Sequence, residues 1–108
     1  MMFFKPWLKR TFRDGTVVVM DTSYVVTHLD NVDKAQIASR NLWRNSKEKR
    51  IVAALEGGKK PGSFPEVKLV LSASSEKFAV SDGISRLRAF FKLGVKNVRV
   101  KLYHGASF

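Results

Sequence analysis

Residues 78–100 read Phe-Ala-Val-Ser-Asp-Gly-Ile-Ser-Arg-Leu-Arg-Ala-Phe-Phe-Lys-Leu-Gly-Val-Lys-Asn-Val-Arg-Val. An extended apolar run meets a sharp turn at Asp82-Gly83, and a helical pattern begins at once with Arg86 in its first turn. A helix N-terminus offers unpaired amides and a partial positive charge. A glycine there lets an anion approach the backbone, and an arginine adds a planar, bidentate clamp. Gly83, Ser85 and Arg86 are therefore a candidate phosphate or nucleotide site. Asp82 and Ser85 are the neighbouring groups with catalytic chemistry, although an aspartate at this position also suits helix capping. On the helical wheel Ser85, Arg88 and Lys92 form one polar stripe expected to face solvent. Ile84, Leu87 and Phe91 form the expected core face, and Arg86 lies between Leu93 and Phe90 on an apolar flank. Two readings fit Arg86: a clamp reaching past the helix end to a ligand, or a side chain that snorkels or pairs with Asp82.

A second basic group surrounds Trp43. Arg40, Arg44, Lys47, Lys49 and Arg50 crowd there with Glu48 as the one acid among them. Basic side chains interleaved with an aromatic suit phosphates and base stacking, although Trp43 itself is expected to pack on the core. Lys59 and Lys60 add a further pair, a nucleic-acid contact or a solvated loop. With Arg88 and Lys92 these make the candidate nucleic-acid surface. The whole chain supports it: 20 Lys and Arg against 9 Asp and Glu give a net charge of +11 over 108 residues, spread through both halves. Such a balance points to an anionic partner, nucleic acid before a membrane or an acidic protein.

Composition removes several classes of chemistry. The absence of cysteine excludes disulfide scaffolds, thiol nucleophiles and Cys-ligated metals. His28 and His104 are far apart and not at metal-ligand spacing, so each is expected to be structural or exposed, with a lone general base as the alternative. Asp14, Asp21, Asp30 and Asp33 are too scattered for a two-metal site. Asp82 is the residue that could help hold a divalent metal if the chain is a nuclease. No apolar run approaches the roughly 20 residues of a membrane span. The first ten residues lack the long apolar core of a signal peptide. The expected location is the cytoplasm, either nucleoid-associated or in a host cell.

The elements that must position these groups are short. Residues 1–13 interleave Phe3, Phe4, Trp7 and Phe12 with basic residues, and are expected to dock their aromatics on the core as an arm or short strand. Residues 17–20 read as a buried strand, and 23–29 as its extended continuation. Asp30 and Asp33 are candidate caps for a helix over 34–44 with Ala35, Ala38 and Leu42 inward. Asn45-Ser46 restarts a helix over 47–56, buried through Ile51, Val52 and Leu55 and stopped by Gly57-Gly58. A Pro-Gly loop leads to a hairpin of strands over 67–71 and 77–80, then the helix over 84–93. In the last strand Val98, Val100 and Leu102 alternate with Arg99, Lys101 and Tyr103, the pattern of a half-buried strand. The expected class is α+β: one compact domain over 1–108, a small mixed sheet and about three helices.

The segment from Asp82 to Val100 resembles the second conserved box of the ParB/sulfiredoxin superfamily. ParB members carry Gly-Glu-Arg-Arg, then Leu/Trp-Arg-Ala, Gly-Leu-Lys and a valine-rich strand. ParB-like nuclease domains carry Asp-Gly-x-His-Arg, and sulfiredoxins Gly-Cys-His-Arg. Here the match is Asp82-Gly83-Ile84-Ser85-Arg86-Leu87-Arg88-Ala89, then Gly94-Val95-Lys96 and Val98 to Val100. The order of upstream elements agrees as well. The resemblance implies a phosphate-holding helix N-terminus, carried by Gly83 and Arg86, with Asp82 as in the nuclease-like variants. Ser85 replaces the family's Arg or His, and neither a Pro-Arg first box nor a Glu-Asn-rich third box is present. No helix-turn-helix domain is expected after residue 108, so a full partition protein that uses CTP is not expected. Sulfiredoxin activity is excluded by the missing cysteine. The leading expectation is a stand-alone, compact nucleic-acid-binding module, DNA before RNA, of the kind that fits a virus or mobile element. A ParB-like nuclease or nucleotide hydrolase using the same pocket is the enzyme alternative, with a nucleotide or a divalent metal as its cofactor. A small protein-interaction module or inhibitor is the third.

Overall fold

The computed structural model describes residues 12–39, 43 and 45–108. Four strands, β1 (Thr16–Asp21), β2 (Val67–Leu71), β3 (Phe78–Asp82) and β4 (Asn97–His104), form one sheet in the order β1-β4-β2-β3. The helices are α1 (Thr22–Thr27), α2 (Asn31–Ala38), α3 (Ser46–Glu56) and α4 (Ile84–Lys92), with a 3-10 turn at Pro61–Ser63. The β1–β4 and β2–β3 pairs are antiparallel, whereas β2 and β4 run parallel. A parallel pair needs a crossover, and here β3 and α4 supply it. The class is α+β, as the sequence implies, with four helices among the described residues where about three are expected.

The alternation read in the last strand holds. Val98, Val100 and Leu102 are buried and join Met20, Val67, Leu69, Leu71 and Phe78 on one face of the sheet. Side chains of all four helices complete the same core, among them Val25, Ile37, Val52 and Leu87. The other face of the sheet carries no buried residue among those described.

Three expectations about the helices are corrected. Residues 22–27 form a helix and not an extended continuation. The Asp21 carboxylate accepts from the Tyr24 amide at 2.9 Å, and that cap outweighs the β-branched run that favours a strand. α2 stops at Ala38 and buries Ile37, leaving Ala35 and Ala38 exposed; Leu42 lies outside the described residues. α4 departs most from its wheel. Leu87, Ala89 and Phe90 are buried, Ile84 is partly buried, and Phe91 is 38% exposed. Arg88, expected on a solvated stripe, is wholly buried. The physical reason is that α4 packs against α1, α2, α3 and β2 at once, so it has no single wet face.

Caps fix the remaining boundaries. The Asp30 carboxylate accepts from the Asp33 amide and the Asn45 side chain from the Glu48 amide, starting α2 and α3. Asp33 in turn accepts from the Val80 amide at 2.8 Å, tying α2 to β3; burial nevertheless raises its carboxyl above the ordinary range. No helix among the described residues is long and apolar enough to cross a membrane. Residues 1–11 of the expected aromatic arm lie outside the description; Phe12 packs against the core and stacks on His104.

Candidate anion site at the start of helix α4

β3 runs straight into α4 through Gly83, whose φ of 100° is a left-handed conformation that glycine adopts without strain. A side chain there would also collide: a Cβ would stand 2.8 Å from Arg86 Nη2 and 3.2 Å from Val67 Cα. α1, α2 and α3 each have a side-chain oxygen capping the first turn, but α4 has none. The first turn of α4 also lacks an acidic residue. Its leading amides are thus left without a side-chain acceptor, and the first turn without an acid of its own to answer the positive end of the helix.

Arg86 closes over this end. It is 7% exposed and turns its guanidinium back toward Gly83. Nη2 donates to the Glu66 carbonyl at 3.0 Å and lies 3.5 Å from the Asp82 carboxylate. Nε is buried without a hydrogen-bond partner. Of the two sequence readings of Arg86, the pairing with Asp82 is present, and Nε is left as an unused donor. Asp82 is more than half exposed, so its hold on the guanidinium is screened by water. Ser85 is buried beside Arg86 in the same turn. Glu66 reinforces the ring of charge. Its carboxyl is held below the usual range first by its own backbone amide; desolvation opposes this, and the charges of Arg99, Lys101 and Arg86 add to the lowering. Chemically the arrangement can take an anion whose oxygens accept from the α4 amides and from Arg86, with Asp82 as the internal competitor.

The remaining candidates scatter. Arg40 and Arg44 lie outside the described residues. Lys47, Lys49 and Arg50 are exposed on α3, and Lys59 and Lys60 in the following loop, where Lys59 Nζ sits 4.2 Å over the Phe64 ring. Trp43 packs against the core. Arg88 cannot reach a ligand. It is ion-paired to Glu48, itself wholly buried, and donates to the Gln36 and Ser39 carbonyls. It therefore ties α4 to α3 and to the end of α2. Lys92 also donates to the Ser39 carbonyl, at 2.8 Å, and is partly buried. His28 Nδ1 contacts the Tyr24 carbonyl, and His104 Nδ1 the Asp14 carboxylate, each at 2.8 Å. No group of three His, Asp or Glu side chains converges among the described residues. Sequence reasoning missed Glu66 and the basic residues of the outward strand positions, Lys68, Arg99 and Lys101. The period-two pattern of β4 was the available signal for the last two.

No protein-family model and no curated protein matches the chain. Among solved structures, the fold is similar to that of a Pnob8-like ParB-N domain, with a TM-score of 0.52, 19% identity, and coverage of 84% of this chain and 30% of that one. It is equally similar to sulfiredoxin from Arabidopsis thaliana, with a TM-score of 0.52, 14% identity, and coverage of 84% and 88%. The chain thus spans under a third of the ParB-N structure's own chain and most of the sulfiredoxin. The likeness is one of fold: the chain has the ParB/sulfiredoxin-like fold.

Proposed function

From that fold, we propose that the chain acts as one domain that binds nucleic-acid phosphates, DNA before RNA, with little sequence preference. Its phosphate site is the start of α4, with Gly83 and Ser85 supplying backbone and Arg86 the clamp. The observation that carries this reading is the pairing of an uncapped helix start with a buried arginine whose Nε has no partner. A phosphate oxygen would answer both, and in that partly dry setting a charge-assisted contact is stronger than at the open surface. The net charge of +11 supplies the long-range attraction. The test is a titration of inorganic phosphate and of duplex DNA against the wild type, Arg86→Ala and, as a surface control, Lys77→Ala. Loss of Arg86 should cost about 1.5–3 kcal/mol, one to two decades in affinity. Duplex affinity should fall with salt at a log–log slope near −0.9 per phosphate contact. Equal binding by the two variants, or duplex binding indifferent to salt, removes the reading. Where the nucleic acid lies in cytoplasm or nucleoid, the protein would be found with it.

A second reading, a nuclease or nucleotide hydrolase in the same pocket, draws on the half-exposed Asp82 carboxylate beside Arg86 and on Ser85. It differs in outcome: Asp82→Asn would abolish turnover, whereas a binding module has none to lose.

A further inference from the structure

The helices cover one face of the sheet; among the described residues the other face is left uncovered apart from the Pro61–Ser63 turn, whose Gly62 carbonyl accepts from Arg99. Strand register brings Val17, Lys101, Lys68 and Asp82 into one row across β1, β4, β2 and β3. Lys101 and Lys68 stand directly opposite each other on parallel neighbouring strands. Adjacent strands lie about 4.8 Å apart, and like charges placed opposite each other destabilise a sheet. Two acids lie near this pair and each is shared: Asp82 stands opposite Lys68 in the same row, and Glu66 feels the charge of Lys101 as well as that of Arg99. Glu66 is bonded to Arg99 at 3.0 Å, and Asp82 lies beside Arg86. Neither lysine makes a hydrogen bond or ion pair with a described residue. Arg99 and Tyr103 lie two residues to either side of Lys101, at positions on the same outward face of β4. Val70, paired with Tyr103 across the strands, extends an apolar patch beside the ring.

We infer that this face is a second nucleic-acid surface, one that takes a single strand. Its phosphates would lie over the Lys68–Lys101 pair, and a base would stack on Tyr103. A flat, open, basic face with an aromatic at its margin suits a polymer, because a mononucleotide would meet only part of it. A duplex keeps its bases stacked inside and cannot offer one to Tyr103. The inference rests on the nucleic-acid reading of the chain but not on the α4 site, since the cations it uses, Lys68 and Lys101, are not that site's anion-binding groups.

The test uses the full chain, a Lys68→Ala/Lys101→Ala double variant, Tyr103→Leu and Arg86→Ala. Fluorescence anisotropy would follow binding of a labelled oligothymidylate of about 20 nucleotides and of a duplex of similar length. The double variant should bind the oligothymidylate about tenfold more weakly, with a salt slope shallower by about 1.4, the contribution of two single-strand phosphate contacts. Its thermal midpoint should hold or rise, because a like-charge pair has been removed, and its binding of inorganic phosphate should not change. Tyr103→Leu should weaken the oligothymidylate at unchanged slope and leave the duplex alone. Unchanged affinity and slope in the double variant would overturn the inference, as would equal losses on single strand and duplex in Tyr103→Leu. Phosphate binding lost in Arg86→Ala while the lysine effect persists would support the face separately from the α4 site. The reverse pattern would leave the α4 site standing without the face.

Discussion

Two arginines lie two residues apart on α4 and live in opposite circumstances. Arg88 is completely buried and completely engaged, with Glu48 as its counter-ion and two carbonyls as acceptors. Arg86 is nearly as buried, yet the carboxylate it pairs with, Asp82, is 3.5 Å away and more than half exposed, and its Nε has no partner. The difference separates structure from function. A guanidinium whose donors are met by the fold holds helices together. On the proposed reading, one with a donor left over, at an uncapped helix start, serves a ligand. The neighbours set these roles: Arg88 points to where α2 ends and α3 begins, whereas Arg86 folds back to the turn before its own helix.

The comparison breaks most visibly at Arg88. Replacing it with alanine leaves the Glu48 carboxylate buried without its arginine counter-ion, a loss of about 3–5 kcal/mol. Chemical denaturation should show that fall, and a variant near wild-type stability would mean the buried pair does not organise the helices. Replacing Arg86 with alanine should spare the fold and cost anion affinity, by the one to two decades given above. Asp82→Asn sharpens the contrast further. It removes the internal competitor for Arg86, so phosphate should bind more tightly, by a few-fold as befits a screened surface pair. Tighter binding would appear in calorimetric titration, and weaker binding would make Asp82 part of the ligand site instead of its rival.

The smallest effect expected is at alkaline pH. Burial, with the charge of Glu76 adding to it, pushes the Tyr24 hydroxyl up to about 12. A group whose folded pKa is raised contributes stability that is whole below its unfolded value near 10 and is lost as pH climbs toward 12. Thermal midpoints across that window should fall less in Tyr24→Phe than in the wild type, although Tyr24 is only partly buried and the difference is small.

Much of this was legible in the residues, and the exceptions have physical causes. The period-two pattern of Val98, Val100 and Leu102 gave β4, because one of its faces is wet and the other dry. Asn45 and the two glycines at 57 and 58 bounded α3 by capping and by Gly58's positive φ. The turn at Gly83 marked the start of α4 because only glycine sits easily at φ 100° against Arg86 and Val67. α1 was hidden, since Tyr24-Val25-Val26 carries strand-like side chains and only Asp21 argues for a helix. Arg88 was misjudged because a wheel presumes one buried side, and α4 has neighbours on several. Its counter-ion Glu48 lies 40 residues away, a distance no local pattern spans. The opposed lysines of the open face were equally invisible, since their pairing follows from the parallel register of β2 on β4.

The most direct measurement is the amide NMR spectrum of the wild type titrated with inorganic phosphate at low salt. The account predicts the largest shifts at Gly83, Ile84, Ser85 and Arg86, with the Arg86 Nε–H resonance moving alongside them, and their loss in Arg86→Ala while the rest of the spectrum stays folded. Shifts confined to the lysines of α3 and the 59–60 loop, or a start of α4 that does not respond, would contradict it.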